Sequence, residues 1–198
     1  MRVTTKPVSE YPWYIRPFFW KQKRKYGQVL EPGLVWGRSP KLFMGVAFLY
    51  GMIERARNPL EPALRSLVTV RVSQINHCRF CVDVNSATLM KRGIGEEKVG
   101  ALEDWRNSNL FDETERAALA YTEAVTRSDQ EPDDAIHAEL RRHFDEDAVV
   151  ELTGLIAFQN MSSKFNAALD VPPQGFCRLP QTGPQAPQGG RHAPQAGE

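Results

Sequence analysis

Apolar residues recur along this chain at helical spacing and rarely alternate. Leu64, Leu67, Val68, Val72, Ile75, Cys78 and Val82 form one stripe at steps of three and four, the signature of an amphipathic helix. A competing pattern is present: Val68, Val70 and Val72 alternate with polar residues, as in a strand. The helical pattern holds over the longer window, and Lys91-Arg92-Gly93 supplies a basic last turn followed by a stop glycine. The sequence therefore predicts one helix from Pro62 to Arg92 with Cys78 and Cys81 near its middle.

Start and stop signals divide the rest. Tyr11 to Lys25 carries Trp13, Tyr14, Phe18, Phe19 and Trp20, and its prolines limit any helix to a short one beginning near Pro17. Ser39-Pro40 offers a capping hydroxyl and a proline at the first helical position, opening a helix to about Arg57. Glu96 to Arg106 reads as a short helix, and Asp112-Glu113-Thr114-Glu115 as a capping box opening a helix to about Arg127. Pro132 opens another, to about Phe144. Asp145-Glu146-Asp147 opens the last, to about Leu169, before Pro172-Pro173. No stretch demands a sheet, so the expected fold class is an all-α helical bundle. Residues 180–198 are Pro, Gly and Gln with few apolar side chains and read as a disordered tail.

Composition narrows the partners. With 25 Lys and Arg against 24 Asp and Glu, the net charge is +1, so no strong field favours nucleic acid or an anionic membrane. The run Lys21-Gln22-Lys23-Arg24-Lys25 reads as a solvated helix face. The polar start Met1-Arg2-Val3-Thr4-Thr5-Lys6-Pro7 has no signal-peptide pattern. The longest apolar run, Leu42 to Ile53, falls short of the ~20 residues that cross a bilayer. It is apolar nearly all round, which predicts a core or subunit-interface helix. The cytoplasm is the expected compartment, where a Cys-x-x-Cys pair reads as redox-active or metal-binding.

That pair is Cys78 and Cys81. Zinc takes four ligands; Cys177 is remote, and His137 and His143 sit six apart on another helix, so a full metal set would need a tertiary coincidence. Two small buried hydrophobes is the plainest reading of the pair. By helical spacing His77 falls one turn before Cys81 and Asn85 one turn after. His77 is thus the one histidine placed near the sulfurs by sequence, a candidate base toward Cys81; the plainer reading is a surface or interface histidine. Arg79 and Asp83 are four apart and read as a salt-bridged helix face, with lowering of a thiol pKa by Arg79 as the sharper alternative. Solvent exposure accounts for the polar run Asn160, Ser162, Ser163, Lys164 and Asn166.

These features together resemble the carboxymuconolactone decarboxylase-like family, in its alkylhydroperoxidase D-like branch. The resemblance runs from Leu60 to Val171. It is carried by Leu64-Arg65-Ser66-Leu67-Val68, Cys78 to Cys81 with Val82-Asp83, Lys91-Arg92-Gly93, Trp105, the stretch Phe111 to Ala120, Glu151-Leu152 and Asn160. It implies an alkylhydroperoxidase D-like helical core at 60–179, preceded by an aromatic helical extension at 1–59. It also implies a homo-oligomer, a trimer or hexamer. The chemistry implied is thiol-dependent: the dithiol reduces a peroxide or other small-molecule substrate, closes a disulfide, and is re-reduced by a dithiol donor, with no organic cofactor. On this reading Cys81 interacts with the local base and Cys78 is its disulfide partner. The family pattern has a glutamate twelve residues before the first cysteine and a histidine four after the second. Here those positions are Ser66 and Asn85. The departure keeps two alternatives open: a lyase of the decarboxylase type, and a non-enzymatic redox-sensing or assembly member.

Overall fold

The computed structural model describes residues 1–129 and 131–177; the tail expected to be disordered lies outside the described residues. Among the described residues there are nine α-helices, two short 3₁₀ turns and no strand. The helices are α1 (Arg16–Tyr26), α2 (Glu31–Gly37), α3 (Pro40–Ile53), α4 (Pro62–Ile75), α5 (Arg79–Lys91), α6 (Glu96–Ala101), α7 (Glu113–Thr126), α8 (Asp134–Arg141) and α9 (Glu146–Ala168).

Most ends follow the expected chemistry. Asp112 and Glu115 form a reciprocal capping box at the start of α7. Asp133 and Asp145 cap α8 and α9 through their carboxylates. Gly93 takes φ +94° just after α5, where only glycine adopts a left-handed turn freely. Other ends differ. Pro40 opens α3, but the Ser39 hydroxyl makes no cap bond, and the helix stops at Ile53 rather than near Arg57. Helix α8 ends at Arg141, and α2 has no counterpart in the sequence reading.

The largest correction concerns the expected helix from Pro62 to Arg92. It is two helices, broken at Asn76-His77-Cys78. Helix α4 closes in a paired turn: His77 N–H donates to Gln74 O, and Cys78 N–H donates to Ser73 O, both at 3.0 Å. His77 sits in the left-handed region with φ 53°, the place usually given to glycine. The next residue, Cys78, is already the N-cap of α5.

Helix α4 lies at the centre, packed against α5, α7 and α9. Leu67, Val68, Val70 and Val72 join Leu89, Leu119, Leu152 and Ile156 in the main core. Val68, Val70 and Val72 are all buried although they lie on different faces of α4, because neighbours surround the helix. This encirclement explains the strand-like alternation. A buried ion network braces the core: Glu123 accepts from Arg71 at 2.5 and 2.8 Å, from Trp105 Nε1 at 3.0 Å, and from Arg106. A second cluster gathers Tyr11, Ile15, Phe19, Trp36 and Phe43. Trp36 stacks on Phe165 of α9 with ring centroids 3.5 Å apart. Trp13 and Trp20 remain exposed, as do Leu42, Phe48, Leu49 and Met52 on α3. No helix of the described residues is long and apolar enough to cross a membrane.

Candidate active site

The helix break decides the geometry of the cysteines. Cys78 is the N-cap of α5, and its sulfur accepts the backbone N–H of Cys81 at 3.2 Å. A sulfur at a helix N-terminus lies among unpaired N–H groups and the positive end of the dipole, which favours thiolate. Both sulfurs are buried, Cys78 at 1% and Cys81 at 3% exposure, and both are free thiols.

Their protons divide unevenly. The Cys81 thiol, donating to the Cys78 sulfur, pulls the Cys78 pKa below its ordinary value; burial opposes this, and the N–H groups of Cys81 and Phe80 reinforce it. Cys81 moves the other way. Its bond to Cys78, its burial and the Cys78 charge all push its pKa up, against hydrogen bonds from Asn166 and Gln159. Of the two, Cys78 is the sulfur whose anion the surroundings favour, and Cys81 the one they favour keeping protonated.

A polar network between α4, α5 and α9 meets the pair at the Cys81 sulfur. Asn166 Nδ2 donates to the Cys81 sulfur at 3.3 Å. Ser73 Oγ accepts from Gln159 Nε2 at 2.9 Å and Asn85 Nδ2 at 3.3 Å, and donates to Thr69 O at 2.5 Å. Asn76 Nδ2 bridges Asn160 Oδ1 at 2.9 Å and Ser163 Oγ at 2.8 Å. Gln159, Ser163 and Asn166 are buried. This corrects the reading of the α9 polar run as a solvated end: Lys164 faces water, whereas Ser163 and Asn166 are buried and Asn166 reaches the Cys81 sulfur.

The remaining sequence candidates fall in different places. Asn85 lies one turn after Cys81 on α5, with its amide committed to Ser73. His77 lies outside both helices and is exposed, and among the described residues its ring makes no hydrogen bond. The helical spacing that set it one turn before Cys81 does not exist. Ser66 is buried two turns down α4, where its hydroxyl accepts from Arg92 at 2.8 Å; Arg92 also pairs with Glu54 at 2.6 Å.

Arg79 and Asp83 do not pair. Arg79 reaches Asp170 at 3.0 Å on the surface. Asp83 is fully buried and accepts three backbone N–H bonds, from Gln174 and Gly175 at 2.8 Å and from Cys177 at 2.7 Å. It pins residues 171–177 as a strap. Val171 and Phe176 of the strap pack on Cys78, Phe80 and Cys81. Cys177, remote in sequence, is thereby brought to α5. A cleft of about 350 Å³ beside Trp105 and Arg116 and one of about 260 Å³ beside Trp36 and Phe165 are lined by neither Cys78 nor Cys81. Among the described residues no group of three or more His, Cys, Asp and Glu gathers as a metal site.

Residues 43–124 match the model of the carboxymuconolactone decarboxylase family. The chain is 45% identical over 175 residues to the uncharacterized protein YnjA of Escherichia coli K12, covering 88% of this chain and 96% of YnjA. The chain belongs to the carboxymuconolactone decarboxylase family. Within that family its fold is that of the alkylhydroperoxidase D-like branch. The alkylhydroperoxidase AhpD core of an uncharacterized peroxidase-related protein from Ralstonia eutropha JMP134 superimposes with a TM-score of 0.81, at 20% identity over 88% of this chain and 93% of that one. The debrominase Bmp8 superimposes with a TM-score of 0.77, at 25% identity over 88% of this chain and 92% of that one.

Proposed function

We propose that this family member is a thiol-dependent oxidoreductase that reduces a peroxide, or exchanges a disulfide, through Cys78 and Cys81. The observation that carries the reading is the Cys78 sulfur at the N-cap of α5, accepting the Cys81 N–H, where the Cys81 thiol also draws its pKa down. Thiolate, not thiol, attacks a peroxide oxygen or a disulfide sulfur. The Cys78 thiolate attacks the distal oxygen of a hydroperoxide. The O–O bond breaks, the alkoxide leaves and takes a proton, and Cys78 becomes a sulfenic acid. Cys81 then attacks the Cys78 sulfur. An S–S bond forms, and the hydroxyl leaves as water with the Cys81 proton. A dithiol donor returns two electrons by thiol–disulfide exchange.

In this scheme Asn85 orients Ser73 and moves no proton, since an amide neither gives nor accepts one near neutral pH. His77 has no part in it. We propose that substrate reaches the sulfurs when the 171–177 strap lifts, since Val171 and Phe176 pack in the same apolar cluster as the two cysteines. We further propose that the apolar α3 face joins copies of the chain into a trimer or hexamer, since Phe48 is 69% exposed amid Leu42, Leu49 and Met52.

The likeness to Bmp8 favours a second reading, in which the same dithiol delivers its two electrons to a halogenated aromatic and releases halide. One assay set separates the two. Consumption of hydrogen peroxide or an alkyl hydroperoxide is followed with dithiothreitol as donor, beside bromide release from a bromopyrrole. Peroxide turnover that Cys78→Ser and Cys81→Ser both abolish supports the first reading. Bromide release with no peroxide turnover replaces it with the second.

A further inference from the structure

Asn166 stands in a place that the scheme above leaves without a task. Its side chain is 1% exposed, in the last turn of α9. Its Nδ2 donates to the Cys81 sulfur at 3.3 Å, while its Oδ1, at the other end of the same amide, is buried with no hydrogen-bond partner among the described residues. Burying an amide oxygen unpaired is unfavourable, so the orphan acceptor marks a position where a donor belongs. No base lies at position 85 to take the Cys81 proton. The polar groups that touch this sulfur are the amides of Asn166 and Gln159 and the neighbouring thiol.

We propose that Asn166 is a catalytic residue of the resolving step, its N–H holding the Cys81 sulfur as charge develops there and its Oδ1 receiving the O–H of the Cys78 sulfenic acid. This rests on the thiol-dependent reading. The order of events follows from the contacts. While Cys78 is a thiolate, its charge keeps the proton on Cys81 and prevents two adjacent anions. Once Cys78 carries the sulfenic hydroxyl, that charge is gone. What remains at the Cys81 sulfur is burial against two donated N–H groups. Charge can then gather on Cys81, its sulfur bonds to the Cys78 sulfur, and its proton leaves with the hydroxyl as water. Oxidation of the first sulfur thus switches on the second, and the amide supports the charge on sulfur without itself taking a proton.

The test uses the full chain, reduced, mixed with one equivalent of hydrogen peroxide in the presence of dimedone, and followed by mass spectrometry across pH. The wild type should give the Cys78–Cys81 disulfide with little dimedone adduct. Asn166→Leu, with the same branching and without polar atoms, should accumulate the Cys78 adduct, slow disulfide closure about tenfold or more and move its pH midpoint upward, since a hydrogen bond to a charged group is worth roughly that in an equilibrium. Asn166→Asp, which keeps the shape and adds charge, should slow closure further, and it carries the test if the leucine variant fails to fold. Because the added carboxylate also opposes the Cys78 anion, closure in Asn166→Asp is scored from the sulfenate already formed, as the ratio of disulfide to Cys78 adduct. Closure at the wild-type rate and pH midpoint in both variants overturns the assignment of Asn166 and leaves the dithiol reading standing. A wild type that yields neither adduct nor disulfide overturns the dithiol reading and this inference with it.

Discussion

Removing the Asp83 carboxylate should uncover the cysteines. Asp83 is 0% exposed, and its two oxygens accept three strap N–H groups at 2.7–2.8 Å. A hydrogen bond to a charged group contributes about 1.5–3 kcal/mol net. The freed N–H groups reach water once the strap lifts, and Gln174 keeps separate anchors at Glu31 N and Val29 O. Asp83→Ala should therefore weaken the seated strap by about 3 kcal/mol, less than the three bonds in full. At 1.36 kcal/mol per tenfold, the lifted population rises roughly 10²-fold. Opening of this kind is local, so the bundle itself should survive. The assay is residue-resolved iodoacetamide labelling, with circular dichroism as the fold control. Cys78 and Cys81 should label roughly 10²-fold faster in the variant. If both label at the wild-type rate while the fold is intact, the strap does not guard the site and the route of access proposed above is wrong.

Other consequences are open to simpler measurements. Thiolate absorbance or labelling rate against pH should place the Cys78 midpoint below that of an unfolded-chain cysteine measured alongside, because the Cys81 thiol and two backbone N–H groups favour its anion; a midpoint at or above that reference contradicts the proton sharing. Asn85→His should raise peroxide turnover near pH 7 at least about tenfold, within the 10²–10⁴ typical of a positioned base, and an unchanged rate and pH profile in a folded variant rejects a relay at this position. Glu123→Ala should destabilise the fold by about 3–5 kcal/mol in thermal or urea melts, since it strands buried Arg71. Burial raises the Glu123 pKa, but the hydrogen bonds of Trp105 and Arg106 and the Arg71 charge outweigh it and hold the carboxyl low. The folded pKa thus lies below the unfolded one, so its contribution is full above pH ~4.3 and falls away as pH drops through the folded value. Phe48→Glu should shift the assembly toward monomer in light scattering; a wild type that is already monomeric at micromolar concentration removes the α3 interface.

The fold was legible wherever local chemistry and tertiary burial agree. The aspartates before α7, α8 and α9, the proline of α3 and the glycine after α5 all act where their residue types suggest. The break at Asn76-His77-Cys78 was not legible, because histidine occupies a left-handed position with neither glycine nor proline to signal it. The apolar stripe continues across the break because both helices bury that side. That single turn changes the site: it takes His77 out of register with Cys81 and gives Cys78 the helix cap. The spacing of the cysteines was plain, but their lining was not. Ser73, Gln159, Ser163 and Asn166 lie up to 93 residues apart and meet only through the packing of α4, α5 and α9. A polar residue on an otherwise apolar helix signals either water or a buried partner, and sequence alone does not separate them. The four-residue spacing of Arg79 and Asp83 suggests an ion pair, whereas the partners of Asp83 are backbone N–H groups that bear no sequence signal.

The central claim is that Cys78 and Cys81 work as one redox unit. Its most direct test is intact and peptide mass spectrometry of the reduced protein after one equivalent of hydrogen peroxide, with thiols trapped under denaturing conditions. The account predicts an intramolecular Cys78–Cys81 disulfide, formed as the peroxide disappears and reopened by dithiothreitol. Peroxide that persists beside two free thiols, or is consumed unchanged by a protein lacking both cysteines, would contradict it.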